Sequence, residues 1–154
     1  MRLRSLLFVP GDSERKFMRA RTSGADALIL DLEDSVAPAQ KPVARQLARK
    51  LLDDLSPRDW SFFVRVNALD SGLALDDLSA VAKPGLDAIM IPKANGAEDL
   101  QRFGHYLDAL ETRAGMPPGS VKMAVVATET AKAMFALHTY APTHPRLEIG
   151  RAHV

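Results

Sequence analysis

Apolar residues fall into five short runs along the chain: "LLFV" (6–9), "ALIL" (27–30), "FFVRV" (62–66), "AIMI" (88–91) and "MAVVA" (123–127). Most lack polar alternation, the pattern of strands covered on both faces. Between them the period is helical. "SERKFMRARTSGA" opens on Ser13 as a candidate N-cap and closes near Gly24. "PAQKPVARQLARKLLDDL" sets Val43, Leu47, Leu51 and Leu52 at helical spacing. "GLALDDLSAVAKPG" stops at Pro84-Gly85. "NGAEDLQRFGHYLDALETRAG" puts Leu100, Phe103, Tyr106, Leu107 and Leu110 on one side, and "ETAKAMFALHTYA" follows the last run. Phe17, Met18, Met134 and Phe135 read as core. Strand alternating with helix predicts parallel βαβ units, hence an α/β fold.

Polar groups gather at one end of these predicted strands. They are Pro10-Gly11-Asp12, Asp31 with Glu33 and Asp34, Arg65 with Asn67, Pro92-Lys93, and Thr128-Glu129. Barrels and doubly wound sheets both carry their ligand sites at strand C-termini, so these residues are expected on one face. In "DLEDSV" an extended backbone points Asp31 and Glu33 the same way. Such carboxylates suit a hard cation, or equally the start of the helix near Pro38. Period-two counting places Phe63, Arg65 and Asn67 together. A strand arginine needs a partner, either a substrate carboxylate or Asp31 or Glu33 on the neighbouring strand. Lys93 can hold an anion or a carboxylate, or be solvated. Glu129 is a candidate metal ligand or a first-turn acid, with Thr128 and Thr130 as helix caps.

Composition narrows the function classes. Of 154 residues 47% are apolar and 25% charged, enough for one core, and 20 basic against 19 acidic residues give a net charge of +1. Such balance offers nothing to nucleic acid or an anionic membrane. The chain has no cysteine, so no disulfide framework and no thiolate chemistry, which fits the cytoplasm. The N-terminal apolar run is too short for a secretory signal, and no stretch approaches the roughly 20 apolar residues of a membrane helix. His105, His138, His144 and His153 show no ligand spacing. There is no Walker lysine motif, G-x-G-x-x-G or G-x-S-x-G.

Taken together, "RSLLFVPGDSERKFMRA", "GADALILDLEDSVAP", "FVRVNALDSG", "LDAIMIPKANGAEDL" and "VVATETAKAM" resemble the citrate lyase β-subunit family, the CitE-like branch of the HpcH/HpaI aldolase superfamily. The match runs in order from about Arg4 to about Leu137. The resemblance implies a TIM (β/α)8 barrel, Mg²⁺ dependence and carbon–carbon cleavage of a 3-hydroxyacyl-CoA thioester of the citryl-, malyl- or citramalyl-CoA type. Products would be a CoA-thioester such as acetyl-CoA and an oxo acid. By position Arg65 resembles the family's substrate-carboxylate arginine and Glu129 one Mg²⁺ ligand. Asp31, Glu33, Asp34 and Lys93 would support them. The intact protein would be a homo-oligomer acting on a CoA-thioester or small dicarboxylate. Two alternatives stay open: a noncatalytic subunit of a lyase complex, and a CoA-independent 2-oxo acid aldolase.

A closed barrel takes about 250 residues, and roughly five βα units are legible here, so an incomplete barrel is expected over 1–147. Half of its interior should then be exposed, and the chain alone should be poorly stable and inactive. The family's second metal ligand, an aspartate after the next strand, finds no counterpart. The closing "EIGRAHV" back-translates to GAGATCGGAAGAGCACACGTC, which contains the start of a common sequencing adapter. Residues 148–154 are therefore expected to be a non-native tail.

Overall fold

The computed structural model describes residues 3–54, 56–140 and 144–151. Its strands are β1 (Leu6–Pro10), β2 (Ala27–Asp31), β3 (Ser61–Arg65), β4 (Ala88–Ile91), β5 (Lys122–Val126) and β6 (Leu147–Arg151). Its helices are α1 (Glu14–Ala20), α2 (Lys41–Leu52), α3 (Ala74–Val81), α4 (Ala97–Arg113) and α5 (Ala131–Ala136). All strand pairs are parallel, and strand order follows chain order from β1 to β6. Successive units therefore advance in one direction, as in a (β/α)8 barrel. A doubly wound sheet would reverse its order at a switch point. The expected α/β architecture is present, with β6 added to five βα units. Residues 148–151 of the expected tail lie in β6, and residues 152–154, with His153, lie outside the described residues.

The two faces of the sheet make two cores. The outer face packs Leu28, Leu30, Phe62, Val64, Ile89, Met123 and Val125 against Phe17, Leu52, Leu78, Phe103 and Leu107 of the helices. The concave face gathers Ala27, Ile29, Phe63, Ala88, Met90, Ala124 and Val126. The expected exposure of this interior is found only in part: Ile29, Phe63 and Met90 are fully buried, while Phe8 of β1, which shares this face with Ile29, is exposed. Small alanines on adjacent strands let the three large buried side chains cover one another. On the outer face of β1, Leu7 is exposed.

Of the expected helix faces, Leu51, Leu52, Leu100, Phe103 and Leu107 are buried, and Val43 and Tyr106 are not. In α2 the buried residues are Ala44, Ala48, Leu51 and Leu52, and Val43 is exposed. The alanines permit close approach to the sheet. In α4 the buried stripe is Leu100, Phe103, Gly104, Leu107 and Glu111, which leaves Tyr106 outside. A Cβ on Gly104 would meet the His144 ring at 2.9 Å, so the glycine makes room for a packing histidine. Phe17 is core, but Met18, Met134 and Phe135 are exposed. In the six-residue α5 only Ala133 is buried.

Ion pairs fasten the N-terminal strand ends. Asp26 accepts the N–H groups of Arg4 (2.7 Å) and Ser5 (2.9 Å), and Asp87 accepts that of Phe62 (2.7 Å) and a guanidinium N–H of Arg58 (2.7 Å). Both aspartates stand in a Gly-x-Asp-Ala stretch whose glycine has positive φ. Glu111, fully buried on α4, accepts the N–H groups of Gly119 (2.8 Å) and Val121 (2.7 Å) and a two-pronged contact from Arg146.

Candidate active site

The opposite, C-terminal strand ends carry the charged residues singled out from the sequence. Asp31 ends β2 and Arg65 ends β3, and the two are register partners in the sheet. Their side chains meet in a bidentate pair, Nε to Oδ1 and Nη2 to Oδ2, each at 2.8 Å. Asp31 also accepts the N–H groups of Glu33 (2.9 Å) and Ser35 (3.0 Å), which wraps the following loop around it. Burial pushes the Asp31 carboxyl up, but hydrogen bonds from Arg65, Ser35 and Glu33 prevail and hold it below its ordinary range. The Asp31 carbonyl accepts the Gly11 N–H at 2.8 Å. A Cβ on Gly11 would lie 2.4 Å from that oxygen, so the Pro10-Gly11-Asp12 turn needs glycine there. Arg65 also lies 4.9 Å from the Phe8 ring centroid, a cation–π contact.

Glu33 is buried beside Arg65 and Lys93. Its Oε1 pairs with Lys93 Nζ, and its Oε2 lies 3.3 Å from Arg65 Nη1. That Oε2 is buried without a hydrogen-bond partner among the described residues. Burial raises the Glu33 carboxyl above its ordinary value despite both cations. Exposed Asp34 lies 3.2 Å from the same Lys93 ammonium. Lys93 follows β4 with φ of 50°, a left-handed conformation rare for a non-glycine residue. That turn aims its backbone N–H at Glu129, which accepts it through Oε2 at 2.7 Å. Glu129 sits between β5 and α5, and the Thr130 hydroxyl caps α5 by accepting the Ala133 N–H at 3.0 Å, as expected of that threonine.

One cavity of about 550 Å³ is lined by Phe8, Pro10, Asp31, Asp34, Ser35, Arg65, Val126 and Glu129. Arg65, Asp31, Asp34 and Glu129 are thus brought together; Glu33 and Lys93 stand behind them. Asn67 does not join that wall. β3 ends at Arg65, and Asn67 turns outward to Asp77 on α3. Asp77 and Arg45 were missed in the sequence. The overlooked signal is an acid inside an apolar stripe, since Ala74, Asp77, Leu78 and Val81 are the buried set of α3.

A metal fits this wall in kind. The donors are carboxylate oxygens, and Glu129 faces the cavity with one oxygen fixed by an N–H. In number the set is small. Among the described residues no group of three or more His, Cys, Asp or Glu side chains is arranged to hold an ion. Magnesium commonly takes one or two protein carboxylates and completes its shell with water and substrate.

The HpcH/HpaI aldolase/citrate lyase profile matches residues 4–149. The chain belongs to that family. It is 40% identical over 117 residues to the citrate lyase subunit beta of Escherichia coli (strain K12), covering 76% of this chain and 39% of that protein. It is 43% identical over 119 residues to a (3S)-malyl-CoA thioesterase of Cereibacter sphaeroides (strain ATCC 17025 / ATH 2.4.3), covering 73% and 42%. Among solved structures, protein CitE from Mycobacterium tuberculosis in complex with magnesium and acetoacetate superposes with a TM-score of 0.69 at 32% identity, covering 97% of this chain and 55% of that one. Haloferax volcanii malate synthase shares the fold, with a TM-score of 0.84 at 18% identity over 96% and 50% of the two chains. The chain therefore spans about two fifths of these curated relatives and about half of these solved chains. Among the described residues no helix is long and apolar enough to cross a membrane.

Proposed function

We propose that this chain carries the Arg65–Glu129 wall of the active site of a Mg²⁺-dependent carbon–carbon lyase. The substrate is a 3-hydroxyacyl-CoA thioester of the citryl-, malyl- or citramalyl-CoA type. The products are a CoA-thioester such as acetyl-CoA and an oxo acid. The observation that carries this reading is the convergence of Arg65 and Glu129, from β3 and beyond β5, on one cavity. Family membership and the names of the relatives support it.

Arg65 has five N–H groups, of which Asp31 engages two. Nη1 also faces Glu33 at 3.3 Å; the N–H groups left over suit a substrate carboxylate, and the bidentate grip of Asp31 fixes the guanidinium plane, hence the substrate's orientation. Glu129 is the metal ligand of this chain, with the Lys93 N–H fixing the rotation of its carboxylate. Bound Mg²⁺ supplies Lewis acidity toward the oxo-acid oxygens and a template for that half of the substrate. Glu33 and Asp34 anchor Lys93 from the far side, so the turn that presents its N–H to Glu129 is held at both ends. We place the activity in the cytoplasm and in a homo-oligomer, and take the 154-residue chain by itself to be inactive.

A second reading is favoured by the thioesterase among the relatives: the same wall would orient a malyl-CoA whose thioester is hydrolysed. The protein, taken at the length of its relatives, is incubated with malyl-, citramalyl- and citryl-CoA with and without Mg²⁺. Lyase chemistry yields an oxo acid with no free CoA thiol; thioesterase chemistry yields the thiol and no oxo acid. No turnover of any thioester would leave the noncatalytic-subunit and CoA-independent aldolase readings.

A further inference from the structure

The loop that carries Glu33 and Asp34 is fastened on its outer side by residues that do not reach the cavity. The Leu32 carbonyl accepts Asn67 Nδ2 at 3.0 Å and Lys41 Nζ at 2.8 Å, and the Glu33 carbonyl accepts Lys41 Nζ at 2.9 Å. Asn67 is itself held by Asp77, which is fully buried on α3. Asp77 Oδ2 accepts both the Asn67 N–H (2.7 Å) and Nδ2 (2.6 Å). Its Oδ1 accepts Arg45 Nε from α2 at 2.6 Å. Arg45 Nη2 is buried without a hydrogen-bond partner among the described residues.

This arrangement is costly for mere packing. An ion pair buried on the Asp77 side, with an unsatisfied Arg45 donor, often stabilises no better than apolar residues of similar size. Its geometric effect is specific. With one Nδ2 hydrogen on Asp77, the other is aimed at Leu32, and the chain just past Arg65 is bolted to the chain just past Asp31. The Arg65–Asp31 pair does the same on the cavity side. Two bolts on opposite sides of the β2–β3 seam fix both the position and the tilt of the acid loop.

We propose that Asp77, acting through Asn67, is a positioning residue that sets the Glu33–Asp34 loop at the rim of the cavity. The inference deepens the proposed function and rests on it for its catalytic meaning. The test uses the protein at the length of its relatives, in two variants that remove the polar contacts without truncating the side chains to alanine. Asn67→Leu removes the donor to Leu32. Arg45→Met with Asp77→Leu replaces the buried pair by apolar groups. Leu78→Ala, on the same helix, is the control for general loosening.

Amide exchange at Glu33 and Ser35 is read relative to Ile89 and Met90 in the sheet. Both positioning variants are expected to speed exchange of the loop amides about tenfold relative to the sheet, with turnover falling by a similar factor. Leu78→Ala should change loop and sheet together. An unchanged loop-to-sheet ratio in Asn67→Leu overturns the inference. Faster loop exchange with undiminished turnover upholds the positioning and removes the acid loop from the proposed function instead.

Discussion

The two ends of the strands treat charge differently. At the N-terminal end three carboxylates are answered by backbone N–H groups and an arginine: Asp26 by Arg4 and Ser5, Asp87 by Phe62 and Arg58, Glu111 by Gly119, Val121 and Arg146. At the C-terminal end Asp31 is answered in the same way, but Glu33 and Asp34 crowd on Lys93 and Arg65, Glu33 Oε2 has no hydrogen bond among the described residues beyond its ion pair with Arg65, and Lys93 adopts a left-handed turn that gives its N–H to Glu129. Satisfied charge stitches the sheet at one end, and strained, under-neutralised charge gathers at the other, the end where barrels of this kind carry their sites. On the proposed function, the contrast divides stability from chemistry within one short chain.

The largest effects should come from the C-terminal end and appear in turnover. Arg65→Lys and Glu129→Ala, at the length of the relatives, are expected to lower turnover about a thousandfold or more. Steady-state kinetics with the preferred CoA-thioester measures this. At the other end, Arg146→Met strands buried Glu111 and should cost about 3–5 kcal/mol by denaturant unfolding. Turnover per folded molecule should hold. Glu33→Gln removes a half-answered buried acid and should shift stability by less than about 1 kcal/mol while reducing turnover; a large destabilisation would place Glu33 with the stitching charges.

The smallest effect is in pH dependence, where the two glutamates act with opposite sign. Burial raises the Glu111 carboxyl, but Arg146 and the two backbone N–H groups prevail and hold it below its ordinary value near 4.5. Its contribution to stability is present above that value and is lost as pH falls through the lowered pKa. The Glu33 carboxyl is raised above 4.5 by burial, so its contribution is present below 4.5 and is lost as pH rises through the raised pKa. Melting curves from about pH 2 to 8 should show Glu111→Gln flattening the loss below pH 4.5 and Glu33→Gln flattening the loss above it.

Much of the fold is legible in the apolar runs, because buried parallel strands need no alternation and their lengths match β1 to β5. Helix faces are less so. Alanines and glycine, such as Ala44, Ala48 and Gly104, pack closest to the sheet yet carry little apolar signal, so the larger Val43 and Tyr106 draw the eye to the wrong face. At the site, the Arg65–Asp31 pair was open to sequence reasoning because the two residues end neighbouring strands. The bond from Lys93 N–H to Glu129 was not, since it depends on a backbone turn that a lysine rarely takes. Asp77 and Glu111 were concealed for one reason: an acid on an apolar stripe reads as an interruption until its partner, Asn67 or Arg146, is placed beside it.

On the proposed function Arg65 and Glu129 serve chemistry, while Arg146 serves stability. The decisive measurement is turnover of malyl-, citramalyl- and citryl-CoA with Mg²⁺ beside thermal melting in Arg65→Lys, Glu129→Ala and Arg146→Met. The first two are expected to abolish oxo-acid release and melt like the parent, and the third to melt earlier yet keep its turnover per folded molecule. Full turnover in both Arg65→Lys and Glu129→Ala would overturn the assignment.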